Sequence, residues 1–144
     1  MPKFNGTYNG EINGIIRILN PEENPFVNVE NAPIILNFTE NGKDKYTVSG
    51  SINFPYSNLS VSLQLVGVAY YNNNTHVLKT ILDGSSVSLQ LSLAALINMN
   101  ITSLKRRRWR DTKNIQGSVE LLSDGTAHTH PIIIGSAAFQ AKIV

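Results

Sequence analysis

Between residues 46 and 54 apolar and polar side chains take turns along the chain. Tyr46, Val48, Ile52 and Phe54 share one set of positions with Gly50, while Thr47, Ser49, Ser51 and Asn53 hold the other. Successive side chains of a strand leave opposite faces, so such a segment buries one face and wets the other. The same alternation recurs over 59–65, where Leu59, Val61, Leu63 and Leu65 interleave with Ser60, Ser62 and Gln64. It recurs again over 87–93, with Val87, Leu89, Leu91 and Leu93 against Ser88, Gln90 and Ser92. A helix would scatter these side chains around its circumference. The chain is therefore built of strands.

Turn chemistry punctuates these runs. Asn41-Gly42, Asp83-Gly84 and Asp124-Gly125 each stand between apolar segments and tolerate the positive φ of tight hairpins. Residues 55–58 and the run Asn72-Asn73-Asn74 read as two further turns. Short connections favour antiparallel neighbours. Residues 20–33, with Pro21, Pro25, Pro33 and the acidic Glu22, Glu23 and Glu30, read as a long loop. The alternation changes phase at Val66-Gly67-Val68, where a β-bulge is expected. One helix candidate covers residues 93–109, because Leu93, Leu96, Ile97, Ile101 and Leu104 fall at helical spacing.

These elements predict one all-β, mainly antiparallel domain over residues 1–144, either a β-sandwich or an eight-stranded meander barrel. The sandwich is favoured slightly, although alternation looks alike in both. A barrel would pair residues 7–19 with residues 137–144. A chain of 144 residues with 42% hydrophobic composition can fill one core without staples. It contains no cysteine, which excludes disulfides and thiolate-bound zinc. No run of about 18 apolar residues offers a membrane-spanning helix, and the N-terminal residues lack a signal-peptide pattern. A cytoplasmic setting is expected.

Charged residues are 15% of the chain, against about 25% in an average domain. The net charge is +2. Five of the twelve basic residues, Lys105, Arg106, Arg107, Arg108 and Arg110, stand together around Trp109. Arginine forks match phosphate geometry, and Trp109 could stack on a ring, so this run is the candidate binding site. It could meet an anionic partner, or pair with the acidic residues of 20–33 within or between chains. Nucleic acid is the weaker expectation, since nucleic-acid domains spread basic residues over a face.

Catalytic patterns are sparse. His128 and His130 would share a face of a strand as a metal pair does, but metal needs a third ligand, for which His76 or Asp124 is the candidate, and no matching carboxylate spacing follows downstream. There is no Gly-x-Ser-x-Gly elbow and no phosphate loop after Gly6, Gly10 and Gly14. Strand positions that would face water carry Ser, Thr, Asn and Gln more than Lys or Glu, which guards weakly against association. The expectation is a non-catalytic β-domain, without cofactor, that binds a protein partner or assembles as a homo-oligomer. Two alternatives stand beside it. One is a barrel for a small hydrophobic ligand lined by residues such as Phe54, Tyr70 and Phe139. The other is a metal-dependent enzyme using His128 and His130.

Overall fold

The computed structural model describes residues 3–19, 26–56, 59–86, 94–106, 109–123 and 132–144. Eight strands run in chain order: β1 (Gly6–Leu19), β2 (Phe26–Glu40), β3 (Lys45–Tyr56), β4 (Leu59–Asn72), β5 (Val77–Ser86), β6 (Ala94–Arg106), β7 (Trp109–Ser123) and β8 (Ile132–Ile143). Each pairs antiparallel with the next, and β8 returns to β1, so the sheet closes as an up-and-down barrel. The closing seam runs from Tyr8↔Ile143 to Leu19↔Ile132. Of the two architectures compatible with the alternation, the barrel forms. It closes by the pairing of the first and last apolar runs.

Glycines make that closure possible. Gly10 faces Ala141 and Gly14 faces Ala137 across the seam. A Cβ on Gly10 would lie 2.0 Å from the Gln140 carbonyl oxygen, so only glycine admits the neighbouring backbone so closely. Gly14 meets the same limit, with the Ser136 carbonyl oxygen 2.4 Å from where its Cβ would stand.

The interior follows from period two. Tyr8, Ile12 and Ile16 of β1 point inward, as do Leu63, Leu65 and Tyr71 of β4 and Ile97, Met99 and Ile101 of β6. Fully burying each such aliphatic or aromatic side chain contributes about 1.5–3 kcal/mol. One end of the barrel is aromatic. Phe4, preceding β1, lies with its ring 6.2 Å from Tyr46 and 5.5 Å from Tyr71, and Phe38 packs edge-on to both Tyr8 and Tyr46. The Phe4 N–H donates to the Tyr46 hydroxyl at 3.3 Å. Two described turns cap this end. In the turn after β2, Gly42 has φ 111° and Asp44 φ 58°. In the turn after β4, the Asn72 side-chain oxygen accepts from the N–H groups of Asn74 and Thr75.

Four local expectations change. Residues 94–106 are strand β6, not helix. Ala95, Ile97, Met99 and Ile101 alternate inward, and Asn98, Asn100 and Thr102, poor helix formers, alternate outward. Asp83-Gly84 lies inside β5 rather than at a turn. Gly84 is an inward position, where a Cβ would meet Ile97 Cδ1 at 3.1 Å. The pairing of β4 passes through Gly67 without a bulge on either side. The loop expected over 20–33 gives way to strand from Phe26. Pro33 is tolerated there beside a register shift, where Asn31 takes φ 50° and its N–H donates to Asn13 Oδ1 at 2.8 Å. Asp124-Gly125, residues 87–93, and His128 and His130 lie outside the described residues.

Candidate interaction face

The basic run sits where β6 passes into β7. Lys105 pairs with Arg110 and Arg106 with Trp109. Arg107 and Arg108, and the side chains of Lys105, Arg106, Trp109 and Arg110, lie outside the description. Past Ile101, β6 has no ladder to β5, and before Asn114, β7 has none to β8. Lys105, Arg106, Trp109 and Arg110 therefore stand on a two-stranded ribbon that extends the barrel wall at its aromatic end.

The base of this ribbon is anchored by buried polar groups. Between Leu104↔Asp111 and Ser103↔Ile115 the register shifts, leaving a bulge in β7. Asp111 is buried, and its carboxylate accepts from the Lys113 N–H at 2.9 Å and from Asn114 Nδ2 at 2.8 Å. The Tyr8 hydroxyl donates to the Thr112 carbonyl at 2.7 Å. Burial, with smaller contributions from Tyr46 and Asp111, raises the Tyr8 pKa to about 12. The hydroxyl thus remains a donor across the neutral range. β1 ends at Leu19 and β2 begins at Phe26, both at the end of the barrel opposite Arg106 and Trp109.

Ile12, Ile16, Ile52, Leu63, Leu82, Ile97, Val119 and Leu121 are fully buried inward positions. Phe139 does face inward. Tyr70, expected to line a pocket, points outward and is 53% exposed. The side chain of Phe54 lies outside the description. Thr80 Oγ1 is the buried side-chain oxygen without a hydrogen-bond partner among the described residues. No group of three or more His, Cys, Asp or Glu that could hold a metal is found among them either. His76 stands in the turn after β4, with Nδ1 3.3 Å from the Tyr71 hydroxyl.

The outer wall carries Glu11, Lys79, Asp83, Glu120, Gln140 and Lys142 in exposed positions. An outward polar wall around an apolar interior is the reverse of the arrangement in membrane-spanning barrels. One part of this wall departs from the rule. Val66, Val68 and Tyr70 of β4 and Ile81 of β5 are exposed, Val68 at 58% and Ile81 at 53%. Val68 is the direct cross-strand partner of Ile81, so the four side chains form one patch. Thr47 and Ser49 of β3 flank it on one side, Asn98 and Asn100 of β6 on the other. A second, smaller apolar surface lies on β1, β7 and β8, where Ile15, Leu122 and Ile134 line a shallow groove of about 420 Å³ with Arg17 and Glu120.

Reasoning from sequence missed the β4–β5 patch, although a signal for it was present. Gly67 holds an inward position between Leu65 and Ala69, so Val66 and Val68 must face out. The apparent phase change marked exposed valines, not a bulge. Comparison with known protein families and with characterised proteins finds no match.

Proposed function

We propose that this protein is a non-catalytic β-domain that works by contact, binding a protein partner or another copy of itself through its outer wall. The observation that carries the reading is the contiguous apolar patch of Val66, Val68, Tyr70 and Ile81, the larger of the two apolar surfaces described on the wall. A barrel that closes on itself has no unpaired strand edge, so contact has to be made by side chains standing on the wall rather than by strand addition. Thr47, Ser49, Asn98 and Asn100 flank it as uncharged neighbours, which lose water at less cost than charges do, while Lys45, Lys79 and Asp83 border its ends. The cysteine-free composition suits a reducing compartment, and a cytoplasmic setting belongs to the same reading.

The basic ribbon at residues 105–110 supports a second contact, with an anionic partner, at the barrel's aromatic end. Light scattering of the purified chain, together with affinity capture, tests the main reading. Self-association or a stoichiometric partner lost on changing Val68 to Lys is the expected result. A strict monomer at high concentration that retains no partner would end it.

A further inference from the structure

We infer that the occupant of the β4–β5 face is a second copy of this chain, docked about a twofold axis that crosses β5 at Ile81. This rests on the contact reading above and adds the partner, the face and the orientation. Along the outward side of β5 stand Lys79, Ile81 and Asp83, a cation, an apolar side chain and an anion at equal spacing. Neither charge makes a salt bridge within the described chain. Beside them on β4 stand Tyr70, Val68 and Val66, paired in register with Lys79, Ile81 and Asp83 respectively.

That pattern is antisymmetric in charge about its centre, as a twofold contact between identical faces requires. For two copies to meet through the same face, the axis must lie in the plane between them. If it runs across the strands, β5 opposes its copy antiparallel, and every level of one face lands on the mirrored level of the other. Lys79 then lies over Asp83 of the second copy, and Asp83 over its Lys79. Tyr70 covers Val66 twice in the same way, and Val68 and Ile81 pack at the centre. Lys79 and Asp83 stand two residues either side of Ile81, about 6–7 Å along the strand, well within reach of these side chains.

An axis running along β5 itself would instead set Lys79 over Lys79 and Asp83 over Asp83. Charge thus selects one orientation and disfavours the other, which is how electrostatics fixes register at an interface. A stable interface buries about 800 Å² on each partner, close to a tenth of the chain's 8467 Å² surface. The outward faces of β3 to β6 supply a continuous wall for it. Packed sheets of this kind stand about 10 Å apart with strands within about 30° of alignment.

The test is a charge exchange on the full chain, read by sedimentation velocity across the micromolar-to-millimolar range. The wild-type chain should dimerise, and Ile81→Glu should abolish the dimer. Lys79→Asp and Asp83→Lys should each raise the dimer Kd about tenfold or more. The double variant, carrying both exchanges, should regain the dimer with itself yet fail to pair with the wild type, because a mixed dimer sets like charges together. All three positions of change are outward, so circular dichroism and Tm should stay unaltered. A dimer indifferent to every variant would overturn the assignment of this face while leaving assembly itself standing. A double variant that pairs freely with the wild type would overturn the twofold orientation. A wild-type chain that is monomeric throughout the range would remove the second copy as the occupant, and capture of a different partner would then leave only the broader reading.

Discussion

Replacing Gly67 by alanine should destabilise the barrel, whereas the same change at Gly84 should leave it nearly unaltered. A Cβ added at Gly67 would stand 1.9 Å from the carbonyl oxygen of Ile81 and 2.9 Å from its carbon. Contacts below 3.0 Å are essentially never tolerated, so the β5 backbone would have to retreat by about 1 Å. That retreat weakens one or two ladder hydrogen bonds, each contributing about 1 kcal/mol. It also strains the packing beneath, at about 1–3 kcal/mol for an overfilled interior. The net loss should be about 2–4 kcal/mol, or a fall in Tm of about 5–15 °C for a domain of this size. At Gly84 the nearest atoms are the methyl ends of Ile97 and Leu65, at 3.1 and 3.4 Å. These can rotate aside, and alanine restricts the unfolded chain more than glycine does, so the change should stay within about 1 kcal/mol of neutral. Urea unfolding followed by far-ultraviolet circular dichroism measures both. Equal stability of the two variants would refute the close approach of β4 to β5 at Gly67.

Thr80→Val removes a buried hydroxyl that has no partner and keeps its shape, so it should stabilise the fold by about 1–2 kcal/mol, seen as a higher urea midpoint. Tyr8→Phe strips the Thr112 carbonyl of its donor and should cost about 1–2 kcal/mol near neutral pH. The Tyr8 pKa is raised to about 12 in the folded chain against about 10 unfolded. Its stabilising contribution is therefore complete below pH 10 and lost as pH climbs through 12, and the phenylalanine variant should lack that part of the alkaline decline. Changing Arg106, Arg107 and Arg108 together to Ser should leave Tm unaltered, because the ribbon has no ladder neighbours on either side. It should weaken retention on an immobilised polyanion, and unchanged retention would leave the cluster without a binding role.

The strands were legible where alternation and burial coincide. Tyr46, Val48 and Ile52 are inward as their spacing requires, and so are Leu63 and Leu65. The pairing of the first and last apolar runs was legible as a condition of closure, but closure was not. A sandwich and a barrel place the same side chains inward, and the difference lies in glycines that let neighbouring backbones approach. Gly10, Gly50, Gly67 and Gly117 each have a neighbouring strand's carbonyl oxygen within 2.0 Å of where a Cβ would stand.

Apart from the proline-rich segment that proved to be strand from Phe26, the misreadings share one cause, the assumption that glycine marks a turn and an apolar residue marks the inside. Asp83-Gly84 resembles a hairpin signal but sits mid-strand, with Asp83 exposed and Gly84 buried. Leu96 and Leu104 lent the 93–109 segment a helical rhythm because they stand half-buried on the outer side of β6. The interaction face was hidden by the same rule, since Val66 and Val68 look like core residues out of phase. The anchoring of the ribbon by Asp111 and Tyr8 was not legible at all. It depends on residues a hundred positions apart meeting at the closed end of the wall.

Cross-strand nuclear Overhauser contacts between β1 and β8 test the account most directly, because the closed wall underlies both the buried interior and the restriction of contact to outward side chains. A ladder joining the two strands from Tyr8 and Ile143 through Ile12 and Phe139 to Leu19 and Ile132 is the expected spectrum. A spectrum in which β1 touches β2 alone and β8 touches β7 alone would leave two open edges, and the barrel with its wall-to-wall dimer would be contradicted.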